Sequence, residues 1–502
     1  MKICIIGGGT AGWLTSLILT KECPQHEYTV VESSKIGPIG VGEGSTGFLG
    51  SVLWKYNIDV YQFMKETDAL PKLGIRFKNW NGDGNQFEAS LAGSITATDD
   101  FPFDNAMCAA LLNDRPISDC QKQSILSTQD ISNICVNDQG TFDTYLEEPP
   151  AFHFDAHKVG KYLRYVGHGP VAHEYDAEVV HVSHKDGKIE FVKLSNGVTV
   201  RADLFIDCSG FSQVLPKAVS ATETSYKSLL PVDRAFIFKP EKEVEDKHPV
   251  TTAWARDNGW IFEIPTRNRV GRGYVYSSQF ADDAAIKKEL EEAYECDIEH
   301  VRTIEFESKR LDKVADKNWV AFGLSSHFFE PLQATSIHNT IVQVYEYVTH
   351  VLKSGEKSVF DEHVIAEYND KVKRLFEDTA DFLALHYECG REDTDFWKFV
   401  TNDKEKSRRV KRILGLAKAR LTRNGDFQHY FGCPGYPLWN LILGGMGHLD
   451  AQVMKDQLKA YNLPMDREVR ALDRLARKVM SDSKTVKLVT VETLDRYLRS
   501  QD

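Results

Sequence analysis

The chain opens Met1-Lys2-Ile3-Cys4-Ile5-Ile6-Gly7-Gly8-Gly9-Thr10-Ala11-Gly12-Trp13, a short apolar strand running directly into G-x-G-x-x-G. A strand, then these glycines, then a helix is how a dinucleotide-binding βαβ unit begins, and it fixes the cofactor class. Gly7 lets the chain turn tightly, Gly9 lets backbone approach a pyrophosphate, and Gly12 lets the following helix pack on the strand. Thr10 and Ala11 stand between them, where helix N-terminal N–H groups face phosphate. A second apolar strand, Tyr28-Thr29-Val30-Val31, ends in Glu32, twenty residues after Gly12, where an acid accepts hydrogen bonds from a ribose hydroxyl. A lone glycine fingerprint arises by chance, but strand, glycines, helix and acid in register leave an ordinary turn the weaker reading.

With 502 residues, 42% hydrophobic and 27% charged, the chain has the composition of a globular enzyme of more than one domain. Its 61 basic and 73 acidic residues give a net charge of −12, which argues against a nucleic-acid or anionic-membrane partner. No apolar run reaches the length of a spanning helix, and the first apolar stretch is the nucleotide strand rather than a leader. A cytoplasmic protein is therefore expected, compatible with a homo-oligomer. The nine cysteines are scattered without C-x-x-C pairs and read as reduced thiols, with neither a disulfide framework nor a metal site.

After the nucleotide unit comes Gly40-Val41-Gly42-Glu43-Gly44-Ser45-Thr46, a glycine-rich loop able to lie against a bound ring system. Strand patterns follow at Gly187–Leu194, Val198–Arg201, Ala235–Lys239 and Gly273–Ser277. Ala202-Asp203-Leu204-Phe205-Ile206-Asp207-Cys208-Ser209-Gly210 reads as a buried parallel strand that brings backbone to the cofactor a second time. From Ile337 onward the spacing turns helical, over His338–Leu352, Val359–Leu385, Lys404–Leu421 and Met465–Lys478. Asp99–Thr144 is polar and weakly patterned, which predicts an excursion over the surface. Gly444-Gly445-Met446-Gly447 lacks the strand and acid of a second fingerprint and predicts a helix–helix contact or turn.

These segments together resemble the flavin-dependent halogenases of the tryptophan halogenase type. Gly7–Trp13 is similar to that family's nucleotide fingerprint, and Gly40-Val41-Gly42-Glu43 to its loop beside the flavin. His153–His157, Phe205–Phe211 and Leu230–Ala235 look like further family segments. Gly259-Trp260-Ile261-Phe262-Glu263-Ile264-Pro265 is similar to the W-x-W-x-I-P signature, with Phe262 in place of the second tryptophan. In that family the motif is thought to keep the flavin from acting as an ordinary monooxygenase. The resemblance implies an α/β fold: a discontinuous, Rossmann-like FAD domain of the flavin monooxygenase type over residues 1–350 with β-rich and substrate-side insertions, then a mostly helical substrate domain over 351–502.

Two positions carry the implied chemistry. Pro71-Lys72-Leu73-Gly74-Ile75-Arg76-Phe77 resembles the segment with the family's catalytic lysine, which aligns with Lys72. A primary amine can take electrophilic halogen and hold it against one carbon of an arene; otherwise Lys72 is a solvated surface lysine. Phe329-Glu330-Pro331-Leu332-Gln333-Ala334-Thr335-Ser336 is similar to E-P-L-E-S-T-G, but Gln333 takes the place of the acid. An amide keeps hydrogen bonding yet is no useful base, so the enzyme either borrows another acid, such as Glu330, or acts on electron-rich rings. Thr335 and Ser336 align with residues whose N–H groups sit near the halide, and the same stretch could at once be a helix start capped by a hydroxyl.

The resemblance implies FAD, bound through Gly7, Gly9, Thr10, Ala11, Gly12, Glu32, Gly42, Glu43, Gly323 and Leu332, and used as FADH2 from a separate flavin reductase. Hypohalous acid would form near Gly323–Ser336 and pass through the interior to Lys72, beside a small aromatic substrate. His386-Tyr387, Phe396-Trp397 and Trp439-Asn440 lie in matching segments whose aromatics could clamp a ring, or simply pack in the core. With Gln333 for the acid, bromide or iodide is expected to outperform chloride. Two other readings stay open: a flavin monooxygenase or hydroxylase, and a flavin-binding protein without turnover.

Overall fold

The computed structural model describes residues 1–36, 43–90, 103–136, 142–144, 149–242, 247–427 and 436–500. Its nucleotide end is a six-stranded sheet built outward from β1 (Lys2–Ile6), with β2 (Glu27–Glu32) on one side and Leu204–Asp207 on the other. Both pairings are parallel, Ile3 lying opposite Tyr28 and Leu204. A parallel sheet is covered on both faces, which is why these strands are apolar throughout rather than alternating. Helix α1 (Thr10–Glu22) crosses over β1 and is itself buried from Gly12 to Thr20, packed between the sheet and the helices Ala156–Gly167 and Thr335–Tyr347. His173–Asp176 extends the sheet beyond β2, and Trp319–Ala321 beyond Leu204–Asp207.

Three further strands bring the sequence after the loop toward this end. β3 (Glu43–Gly44) and β4 (Leu70–Lys72) flank Ala151–Phe154, with Gly44 and Leu70 both opposite His153 and Lys72 opposite Ala151. Leu73 then donates its N–H to the Pro249 carbonyl at 2.6 Å, and β5 (Gly74–Lys78) joins a second, seven-stranded sheet. Lys72 therefore stands at the seam between two sheets. In the larger sheet β5 pairs parallel with Val250–Arg256 and antiparallel with β6 (Gln86–Ser90). Along Gly259–Pro265 the alternation sends Trp260, Phe262 and Ile264 into the main core, while Ile261 joins Phe236, Tyr274 and Tyr276 on the opposite face.

The strands expected at 187–194, 198–201, 235–239 and 273–277 fall within or across Lys188–Leu194, Thr199–Val200, Arg234–Pro240 and Val270–Tyr276. The expected helices correspond to Thr335–Tyr347 with its π-helical continuation Val348–Leu352, and to Glu362–His386, Arg408–Ala417 and Met465–Thr485. Among the described residues no helix is long and apolar enough to cross a membrane.

The surface excursion expected at 99–144 is corrected over its described part. Phe103–Leu111 is a helix whose Ala106–Ala110 are fully buried, and Ile131–Val136 pairs with Leu488–Thr490. Its polar residues mislead because many of them are buried, and Gln121 shows how burial is accommodated: it donates to the Glu88 carbonyl at 3.0 Å and accepts from the Ser90 N–H at 2.9 Å. The glycine cluster is a helix contact, as expected. Helix Tyr436–Gly445 comes so close to β6 and the Phe103–Leu111 helix that a Cβ on Gly445 would stand 2.4 Å from the Phe87 ring.

Candidate active site

At the nucleotide end, Gly7 has φ +118°, and a Cβ there would meet the Cys208 carbonyl oxygen at 2.2 Å. A Cβ on Gly12 would meet the Gly7 carbonyl at 1.9 Å, so α1 can approach β1 only without one. Over Gly9, the N-cap of α1, the space is open and no side chain caps the helix. The N–H groups of Thr10, Ala11 and Gly12 are thus left for a ligand, which is the cradle a pyrophosphate needs. Gly323, at φ +63°, brings a second backbone segment against this turn, where its Cβ would stand 2.9 Å from that of Ala11. Leu332 is buried. These features fit FAD; Gly40, Val41 and Gly42 lie outside the described residues.

Glu32 lies beside Gly8, where a Cβ would be 1.9 Å from Oε2, and accepts a hydrogen bond from Trp13 Nε1 at 2.9 Å. Burial raises its pKa, opposed by Trp13 and by Arg164, whose Nη1 is 3.4 Å from Oε1. Sequence reading overlooked both partners. A tryptophan immediately after the fingerprint was the available signal for the first.

At the other end, the Lys72 side chain reaches Gly44. A Cβ on Gly44 would be 2.8 Å from Lys72 Nζ and 3.6 Å from the Cβ of Ala334, so the loop strand, the lysine and the 331–336 turn converge. Lys72 is 1% exposed, and its Nζ has no hydrogen-bond partner among the described residues. Burial lowers its pKa to about 7, and a solvated lysine is not what stands there. Two more titratable groups share the region. Burial, with Asp155 adding to it, pushes Glu43 up to about 7. His153, bonded to Thr251 Oγ1 at 2.8 Å, is held neutral by burial and by the nearby Lys72 charge.

Ala334 adopts a left-handed conformation, φ +53°, between the turn Pro331–Gln333 and the helix that starts at Thr335. No side chain caps that helix, which removes the hydroxyl-cap reading and leaves the N–H groups of Thr335 and Ser336 at an open helix start. Gln333 is buried, its Nε2 2.7 Å from Nε2 of His386, whose Nδ1 donates to the Phe382 carbonyl at 2.8 Å. Burial depresses the His386 imidazole to about 4.

Tyr387 binds the tryptophan motif to the same turn. Trp260 Nε1 donates to the Tyr387 hydroxyl at 3.1 Å, which donates to Glu330 Oε1 at 2.7 Å. Burial pushes Glu330 up to about 8, so it is protonated at neutral pH and no ready carboxylate base. Phe262 lies against Gly273, where a Cβ would be 2.4 Å from Cζ; Ile264 and Pro265 are buried after it. Phe77, Trp80 and Phe382 surround His386 with ring centroids 5.2, 6.3 and 5.0 Å away. Trp439 packs on Phe382 and Phe427, whereas Asn440 binds Asp104 and Thr422, and Trp397 donates to the Arg256 carbonyl. The last two are structural contacts.

A nucleotide cradle and a desolvated lysine in one chain define a flavoprotein oxidoreductase, and known proteins make the class specific. The tryptophan halogenase family model matches residues 2–460, and the chain belongs to that family of flavin-dependent, FADH2-using halogenases. It is 30% identical to tryptophan 6-halogenase SttH of Streptomyces toxytricini over 88% of this chain and 89% of that one. Among solved structures it is similar to Tar14, a tryptophan C-6 flavin-dependent halogenase (chlorinase) from taromycin biosynthesis, with TM-score 0.86, 27% identity and 99% of each chain covered. It is also similar to Xcc4156, a flavin-dependent halogenase from Xanthomonas campestris, with TM-score 0.83, 26% identity and 99% and 98% covered.

Proposed function

We propose that this halogenase modifies small electron-rich aromatic rings through Lys72, with FADH2 delivered by a separate flavin reductase in the cytoplasm. The observation that carries the reading is the Lys72 amine, buried beside Gly44 and Ala334 with no hydrogen-bond partner among the described residues. Reduced FAD, with oxygen and halide, supplies the oxidising equivalents that convert halide to hypohalous acid. Gly7, Gly9, Thr10, Ala11 and Gly12 hold the pyrophosphate, Glu32 the ribose, and Gly42, Glu43, Gly323 and Leu332 the remainder, while Thr335 and Ser336 offer N–H groups to halide.

Burial keeps a large share of Lys72 as free amine near neutral pH. Its lone pair attacks the halogen of hypohalous acid: an N–X bond forms, the O–X bond breaks, and the hydroxyl leaves as water with one amine proton. The arene then attacks the same halogen, the C–X bond forms as N–X breaks, and the ring proton returns the nitrogen to an amine. Dry surroundings keep hypohalous acid from water-borne side reactions. Trp260, bonded to Tyr387, and Phe262, Ile264 and Pro265, buried along the same strand, would steer flavin chemistry toward halide rather than toward oxygenation of substrate. Gln333 is no base, which favours bromide or iodide over chloride and rings that lose their proton easily.

The test is Lys72→Ala in the full chain with FAD, flavin reductase, NADH and bromide. Halogenated product should vanish while reduced flavin is still oxidised. Full regioselective activity in that variant would remove Lys72 from the mechanism.

A further inference from the structure

His153 is a buried titratable group near Lys72 that the steps above do not use. Strand register puts the two on one face of the small sheet. Directly opposed residues share a face, so Lys72 stands with Ala151, and Leu70 and Gly44 stand with His153, while Phe154 and Glu43 take the other face. The Lys72 side chain starts opposite Ala151 and ends with Nζ at Gly44, on the far side of the His153 strand, so it passes diagonally across the histidine. Gly44, Ala151 and Ala334 carry no side chain beyond Cβ to fill that face. Among the described residues the Thr251 hydroxyl has one partner, His153 Nε2 at 2.8 Å. Its hydrogen is satisfied only if it donates to a bare Nε2; the opposite tautomer would leave both that hydrogen and the Nδ1 lone pair unpaired. The neutral ring therefore carries its proton on Nδ1, and Nδ1 is buried with no partner among the described residues. Lys72 Nζ, on the same face, is also buried without one.

We propose that His153 is a second catalytic residue, whose Nδ1–H holds the oxygen of hypohalous acid while the halogen faces the Lys72 amine. This rests on the halogenase reading. As the Nζ lone pair forms the N–X bond and the O–X bond breaks, the bonding pair goes to oxygen, and the hydrogen bond from Nδ1 stabilises the charge that develops there. The oxygen leaves as water by taking one amine proton, and His153 keeps its own. Because Thr251 fixes the tautomer beforehand, the donor needs no reorganisation at that moment. Without it hypohalous acid is held by the amine alone, and more of it escapes before N–X forms.

The experiment partitions oxidised bromine between ring and solvent. The full-length enzyme acts on indole with FAD, flavin reductase, NADH and bromide, in the presence of catalase and of free methionine, whose thioether takes escaped hypobromous acid to the sulfoxide. The ratio of sulfoxide to bromoindole is read by mass spectrometry. In His153→Leu, which removes both ring nitrogens, the ratio should rise by about tenfold or more. In His153→Asn, which has the shape of leucine but places an amide nitrogen where Nδ1 stood, most of the bromine should return to the ring. His153→Gln, whose amide reaches the Nε2 position and Thr251 instead, should leak as His153→Leu does and covers the case where His153→Leu does not fold. A His153→Asn that leaks while His153→Gln does not, the order a structural role through Thr251 would give, overturns the proposal alone, as does an unchanged ratio in His153→Leu. Neither bromoindole nor sulfoxide from the unaltered enzyme overturns the halogenase reading with it.

Discussion

Lys72 is an amine whose burial works against its own charge, and this has two measurable effects. In the proposed mechanism the free base attacks the halogen, so ring halogenation should rise as pH increases through about 7, a limb that flavin oxidation alone need not share. Between about 7 and the ordinary 10.5 the unfolded chain binds more protons than the folded one, so this group's contribution to stability rises with pH across that window. Lys72→Met should remove that slope, which urea unfolding at several pH values would detect. At position 333, Gln333→Glu should improve chlorination relative to bromination if the amide limits loss of the ring proton. Robust chlorination of unactivated rings by the unaltered enzyme would show that the missing acid is immaterial. Lys72 and Gln333 were legible in the sequence only through resemblance. The burial of one and the histidine partner of the other were not, since residues 333 and 386 meet only when the 331–336 turn packs on the Glu362–His386 helix.

Among the elements, the β1–α1 turn was the most legible, because its glycines answer to backbone contacts rather than to side-chain choice. Gly7→Ala combines a positive φ with a clash against Cys208, and should cost on the order of 1–3 kcal/mol and loosen FAD, measurable by thermal unfolding and flavin titration. Glu32→Ala should also loosen FAD; unchanged affinity would release that residue from the ribose role. The least legible element was Phe103–Leu111 with its neighbours. Periodicity reports which side chains face apolar surface, and here Gln121, Gln123, Ser124 and Ser127 are buried as well. Gly445 tests that packing: Gly445→Val should drive atoms into the Phe87 ring and cost about 1–3 kcal/mol, with little change in FAD affinity.

For the whole molecule, the proposed mechanism places halide oxidation and ring substitution at two separate points of the fold. The glycine cradle and Gly323 gather at the β1–α1 end, and Lys72 stands where the small sheet passes into the seven-stranded one. The 331–336 turn adjoins the lysine through Ala334 and the tryptophan motif through Glu330 and Tyr387, so one segment couples both. That coupling is long-range in sequence, which is why motif reading found the pieces without their contacts. The most direct measurement is mass spectrometry of products made from indole by the purified protein with FAD, a flavin reductase, NADH and bromide. The account predicts a ring-brominated product carrying bromine's paired isotope signature; a hydroxylated ring instead, or unmodified indole while FADH2 is supplied, would contradict it.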